Sequence, residues 1–207
     1  MSVSQAIREE VKQFPEGEPF ATARLLRLGP RAAVDQALAR LAREGYISRV
    51  RRGVYVRPKV SRLAGKVPPN PAAVVKAIAE ATGETVAPHG AEAARLLGLT
   101  TQVPLTAIYS TNGKTREFKI GQVVVKLRHA SNRQLTMAGT PAGLALAALR
   151  YLGRQAVDEQ TVEQVRDRIG DEQFQVMRQE AGAIPSWLSD VIWRAQQRSE
   201  PFEAGRG

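Results

Sequence analysis

The chain has 207 residues, 43% hydrophobic and 24% charged, which suits a folded protein of one large or two modest domains. Its net charge of +10 points to an anionic partner, and the lack of cysteine excludes disulfides, thiolate zinc sites and thiol catalysis. No apolar run approaches membrane-spanning length, and Glu9, Glu10, Glu16 and Glu18 interrupt any signal-peptide core, so a cytoplasmic protein without membrane contact is expected.

Ser4 to Phe14 reads as a helix, with Ala6, Ile7, Val11 and Phe14 at helical spacing and Pro15-Glu16-Gly17 as its stop. Thr22 is placed to cap a second helix, Ala23 to Leu28. Gly29-Pro30 then turns the chain into a third helix, Arg31 to Glu44. Val34, Leu38 and Leu41, with Ala37 beside them, form one stripe of it. At about 100° per residue, Ala32, Gln36, Ala39, Arg40 and Arg43 fall on the opposite side, with Arg31 and Asp35 flanking near the N-terminus. Small residues permit close approach, and Gln or Arg pairs with base edges.

Tyr46 to Pro58 reads as a β-hairpin tipped by Arg51-Arg52-Gly53, where Gly53 supplies the positive φ of a three- to five-residue loop. Arg49, Arg51, Arg52 and Arg57 crowd one small ribbon, an arrangement that becomes favourable beside a polyanion. A helix running into a basic hairpin is the plan of a winged helix-turn-helix. Residues 1–60 hold 12 Lys/Arg against six Asp/Glu, residues 61–139 ten against four, and residues 140–207 eight against ten. The nucleic-acid side is therefore expected in the first two thirds.

Residues 61–71, with the flanking Pro58 and Lys59, read as an extended connector, whose Lys59, Arg62 and Lys66 either touch phosphate or keep it solvated. Residues 72–200 read as a second domain. It opens with a helix, Ala72–Thr82, and a short strand at Thr85–Ala87. A helix from Ala91 to Leu97 is closed by Gly98. Leu105–Ser110, Arg116–Ile120 and Val123–Arg128 read as an antiparallel meander turning at Asn112-Gly113 and Gly121. Helices follow from Thr140-Pro141 to Leu152, from Asp158 to Ile169, from Asp171 to about Glu180, and from Pro185-Ser186 through Ala195. The stripe Trp187, Leu188, Val191, Ile192 and Ala195 fits either intramolecular core or the interface of a homodimer. Residues 201–207 read as a flexible tail.

Candidates for catalysis are scarce. His89 and His129 are the only histidines, neither has a carboxylate at metal-ligand spacing, and the middle of the chain offers only Glu80, Glu84, Glu92 and Glu117. No nucleophile elbow, P-loop or dinucleotide fingerprint is present. No catalytic residue, metal or cofactor is expected, and the two histidines read as hydrogen-bonded turn or edge residues.

The wing Arg49-Val50-Arg51-Arg52-Gly53-Val54-Tyr55-Val56 resembles that of the winged-helix domain of AbiEi-type antitoxins of bacterial type IV toxin–antitoxin (abortive infection) systems. Gly90 to Pro104, with its Gly-Leu-Thr-Thr-Gln-Val-Pro segment, and Tyr109-Ser110-Thr111-Asn112-Gly113 resemble a family of unknown function, DUF6088, grouped with them. The resemblance implies a repressor that binds double-stranded DNA at its own promoter, and an antitoxin that counters a toxin of nucleotidyltransferase type without a stable complex. The expected fold is thus α+β: an N-terminal winged helix-turn-helix, then a mixed domain with a meander and a helical tail. The residues expected at DNA are Arg31, Ala32, Asp35, Gln36, Arg40, Arg49, Arg51, Arg52 and Arg57. The alternative is a protein-interaction module whose positive residues 61–139 meet an acidic partner, a toxin, with only incidental DNA binding. The Thr100-Thr101-Gln102 tract reads as a helix stop and polar loop.

Overall fold

A computed structural model of the chain describes residues 2–63, 65–102, 106–135, 137–179 and 184–199. The architecture is α+β, and the chain divides into two units, residues 1–86 with 117–125 and residues 87–116 with 126–207. Among the described residues no helix is long and apolar enough to cross a membrane. Three stretches read from the sequence lie outside the described residues: the entry to the strand at 103–105, the helix end at 180, and the tail at 201–207.

In the first unit, α1 (Val3–Gln13) is capped by Ser2, whose Oγ accepts from the Gln5 N–H at 3.3 Å. β1 (Pro19–Ala21) leads into a 3-10 helix (Thr22–Leu28), then α2 (Arg31–Arg43), β2 (Ser48–Arg51) and β3 (Val54–Val56). The sheet order is β1-β3-β2, and both pairings are antiparallel. Phe20 on β1 pairs with Tyr55 on β3, and both side chains join a core of Ile7, Val11, Leu25, Val34, Leu38, Leu41 and Ile47. Strand alternation sends Ala21, Val54 and Val56 to the other face. That face is covered by α3 (Pro71–Thr82), which packs on β1 and β3, so every residue of β3 is buried. Asn70 caps α3, its Oδ1 accepting from the Ala72 and Ala73 N–H groups at 2.8 and 3.4 Å.

Two expectations change here. α3, read as the start of a second domain, belongs by packing to the first unit. Helical periodicity shows that a face is buried but not against which partner. The expected connector is instead a hairpin, β4 (Lys59–Ser61) and β5 (Gly65–Val67), paired antiparallel with Val60 opposite Lys66. Its prolines lie outside the paired residues, at 58, 68 and 69, where they interrupt no ladder hydrogen bond.

The remaining strands, β6 (Val86–Pro88), β7 (Thr106–Thr111), β8 (Arg116–Ile120) and β9 (Val123–His129), form a sheet in the order β6-β7-β9-β8. This is not the expected meander, because β9 rather than β8 lies beside β7. The Asn112-Gly113 segment is closed locally. Thr111 Oγ1 accepts from the Gly113 N–H at 3.0 Å, and the Gly113 carbonyl meets His129 Nδ1 at 2.9 Å.

The second unit packs α4 (Gly90–Leu96), α5 (Pro141–Leu152), α6 (Glu159–Ile169), α7 (Asp171–Gln179) and α8 (Ser186–Ser199) around one core. Thr140 and Asp158 cap α5 and α6 through the Gly143 and Thr161 N–H groups. Leu188, Val191, Ile192 and Ala195 of α8 lie in that core, with Trp187 packed against it, so the stripe is intramolecular.

Candidate nucleic-acid interface

α2 separates its two faces as its sequence requires. Val34, Ala37, Leu38 and Leu41 are buried, while Arg31, Ala32, Asp35, Gln36, Ala39, Arg40 and Arg43 are exposed. Pro30 stands at the N-cap with no side-chain capping bond, so polar backbone groups of the first turn face outward. Arg31 Nε lies 3.3 Å from Asp35 Oδ2, one turn along. Both groups are exposed, and an exposed pair of this kind is easily exchanged for a stronger anion such as phosphate.

The neighbouring hairpin is tighter than expected. Arg51 pairs with Val54, leaving Arg52-Gly53 as a two-residue tip, and Gly53 takes φ +74°. The register shifts between Arg49 and Arg51, so Val50 is an extra residue on β2. Such a bulge re-aims the side chains on either side of it. Arg49, Arg51 and Arg52 are all exposed.

Two interactions from elsewhere in the unit hold the tip. The Thr22 N–H and Oγ1 both donate to the Gly53 carbonyl, at 2.9 and 3.3 Å. The Arg51 guanidinium lies over the Phe118 ring, 4.5 Å from its centroid. The sequence suggests Thr22 as a helix cap. Nothing in it pairs Arg51 with Phe118, since these residues come from distant segments.

Arg57 is placed apart from the other arginines. Its Nη1 donates to the carbonyls of Lys12 and Phe14, each at 2.8 Å, and its Nη2 lies 3.3 Å from Glu16 Oε1. Its side chain is only 21% exposed. It closes the last turn of α1, where carbonyls lack intrahelical partners, and ties that turn to the end of the hairpin. Of the expected site residues, the structure thus presents Arg31, Ala32, Asp35, Gln36 and Arg40 on one helix face and Arg49, Arg51 and Arg52 on the hairpin, and turns Arg57 inward.

Among the described residues no three His, Cys, Asp or Glu side chains could hold a metal. His129 Nδ1 is hydrogen-bonded at a strand end, as expected. His89 stands at the N-cap of α4, and its Nδ1 is buried without a hydrogen-bond partner. Burial pushes its pKa below the ordinary value, and the nearby Arg128 charge adds to this. An apolar cleft of about 590 Å³ in the second unit is lined by Leu96, Leu135, Met137, Leu144 and Leu146, with Arg150 and Arg168 among its polar groups. The Gly98 stretch closes α4 over its described part. The Leu99 and Gly98 N–H groups bond the Ala94 and Arg95 carbonyls, a Schellman closure of α4, and Thr100 Oγ1 accepts from the Gln102 N–H.

Comparison with known proteins places the chain at the family level. No curated protein matches it. A crystal structure of the RV2827C protein from Mycobacterium tuberculosis aligns with a TM-score of 0.47 and 14% identity, covering 94% of this chain and 79% of that one. A family model of unknown function matches residues 6–177, and the chain belongs to that family, DUF6088.

Proposed function

We propose that the chain is a sequence-specific, double-stranded DNA-binding transcriptional repressor whose first unit is a winged helix-turn-helix. The observation that carries this reading is one helix face of small, amide and guanidinium side chains, exposed along its length, beside a hairpin that carries three exposed arginines at and near its tip. By sequence count the first unit holds 16 Lys/Arg against nine Asp/Glu, so most of the +10 net charge belongs to it. In this reading α2 enters the major groove by its N-terminal end. Ala32 lets the backbone approach, and Gln36 reads a base edge through paired donor and acceptor. Arg31 and Arg40 take base or phosphate, and Arg49, Arg51 and Arg52 hold phosphates alongside.

Gel shifts against the DNA upstream of its own gene, across a salt series, test this. Gln36→Ala should reduce discrimination between operator and unrelated duplex by about 1–3 kcal/mol. Arg51→Ala with Arg52→Ala should weaken every duplex and flatten the salt slope by about two, roughly one for each phosphate left unneutralised. Variants that bind both duplexes as the parent does at every salt concentration would overturn the reading.

The resemblance to AbiEi-type antitoxins supports a finer form of this proposal, an autoregulating antitoxin opposing a toxin of nucleotidyltransferase type. A nucleotidyltransferase gene beside this one, whose toxicity in cells is relieved by co-expression of this chain, is the expected result. Toxicity unrelieved by the intact chain would remove the antitoxin role and leave the repressor role standing.

A further inference from the structure

We infer that the β4–β5 hairpin is a second DNA-binding element, a basic ribbon that lies along the minor groove and presses Leu63 against a base step. This deepens the duplex-binding reading above and rests on it. The two strands pair Lys59 with Val67, Val60 with Lys66 and Ser61 with Gly65. Leu63, in the turn, is fully exposed, and Val60 is 68% exposed. Exposing two branched apolar side chains on a short ribbon is unfavourable in water, and this ribbon carries only cations to compensate. Lys59, Arg62 and Lys66 are exposed, and no acidic residue occurs from 58 to 71. An apolar tip flanked by Lys and Arg is the composition of side chains that wedge between base pairs from the minor groove.

The ribbon is anchored at its base. Lys59 packs over Gly17, where an added Cβ would stand 3.2 Å from the Lys59 Cβ. The Gly17 N–H donates to the Arg57 carbonyl at 2.8 Å, and Pro68 closes on Gly121 in the same way at the other strand. The Leu63 N–H bonds back to Ser61 Oγ at 3.3 Å, which shapes the turn. A three-pair hairpin alone is marginal in water, so a fixed base and a free tip suit a part that completes its packing on a ligand. Charge selects the ligand. A lysine–arginine ribbon meets a polyanion, and an apolar tip finds in a duplex the faces of unstacked bases.

The test uses the full chain with a duplex from upstream of its own gene, carrying a fluorescent adenine analogue at successive steps, and measures bending by circular permutation. The parent should bend the duplex by roughly 20–90° and brighten the analogue at one step. Leu63→Ser should abolish both, and a fully exposed position should leave the thermal melt unchanged. Lys59→Gln with Lys66→Gln should lower the salt slope by about two. A Leu63→Ser protein that bends and brightens as the parent does overturns the wedge and leaves the repressor reading intact. Loss of bending in Leu63→Ser, with parent-like binding by Arg51→Ala/Arg52→Ala, keeps the wedge and removes the wing. A chain that binds no duplex overturns both. A parent dimer that Leu63→Ser dissolves in sedimentation assigns the tip to a second copy and overturns the proposal.

Discussion

Arg57 and Arg52 are five residues apart on one hairpin and have different tasks. The Arg57 guanidinium bonds two carbonyls at the end of α1 and faces Glu16, while Arg52 stands in solvent at the tip. Arg57→Ala should therefore destabilise the protein by about 2–4 kcal/mol, because hydrogen bonds to a charged group contribute about 1.5–3 kcal/mol each and the bond to the Phe14 carbonyl is partly buried. Arg52→Ala should shift stability by no more than about 0.5 kcal/mol. Urea denaturation of the two variants measures the difference, and equal midpoints would show that the Arg57 hydrogen bonds contribute little. From the sequence these arginines look alike, since residue type and strand spacing are all that local reading offers. The partners of Arg57 lie on α1, and that of Arg51 is Phe118, so only tertiary structure distinguishes them. The faces of α2 are legible for the opposite reason: helical winding fixes which side chains share a face before any tertiary packing forms.

At the scale of elements, the sequence locates most helices and strands but not their partners. Asn70, Pro71 and Gly83 mark both ends of α3 locally. That α3 covers β1 and β3 depends on packing that leaves no periodic trace. One ion pair records the attachment: Arg24 Nε and Nη2 donate to the two Glu80 carboxylate oxygens, each at 2.8 Å. This hydrogen-bonded pairing holds the Glu80 carboxyl below the usual carboxylate range, partly offset by burial. A carboxyl whose pKa is lower folded than unfolded stabilises the fold above its unfolded pKa. That contribution is present at neutral pH and disappears as pH falls through the acidic range. Glu80→Gln should thus lower the unfolding midpoint near neutrality and flatten its fall on acidification. Parallel pH profiles for parent and variant would show that the pair does not fasten α3. The region after Pro58 differs from its expected form because four prolines suggest an extended chain, while the paired runs, Lys-Val-Ser and Gly-Lys-Val, are only three residues each and too short to show a strand alternation.

For the whole molecule, the place where the chain is divided decides what the charge means. A boundary at residue 60 leaves the segment 61–139 as basic as residues 1–60 themselves, which invites a second, protein-binding surface. Grouping by packing moves α3 and residues 117–125 to the first unit, which carries +7, and joins the rest of 61–139 to the acidic residues 140–207, so the second unit carries only +3. The same grouping predicts how the chain tolerates cutting. A fragment of residues 1–60 keeps α1, α2 and the β2–β3 hairpin but uncovers Ala21, Val54 and Val56, which are at most 5% exposed in the whole chain. Baring the two valines alone costs about 1.5–3 kcal/mol each, against roughly 5–15 kcal/mol for an entire domain, and a chain of this length is marginal already. The fragment should show no cooperative thermal transition by circular dichroism, and its duplex binding should be weak and insensitive to Gln36→Ala. Extending it to residue 86 restores α3 and the Arg24–Glu80 pair, and should restore a transition. A 1–60 fragment that melts cooperatively at the temperature of the full chain would show that this part of the fold is complete without α3. The boundary drawn from the prolines would then be the physical one.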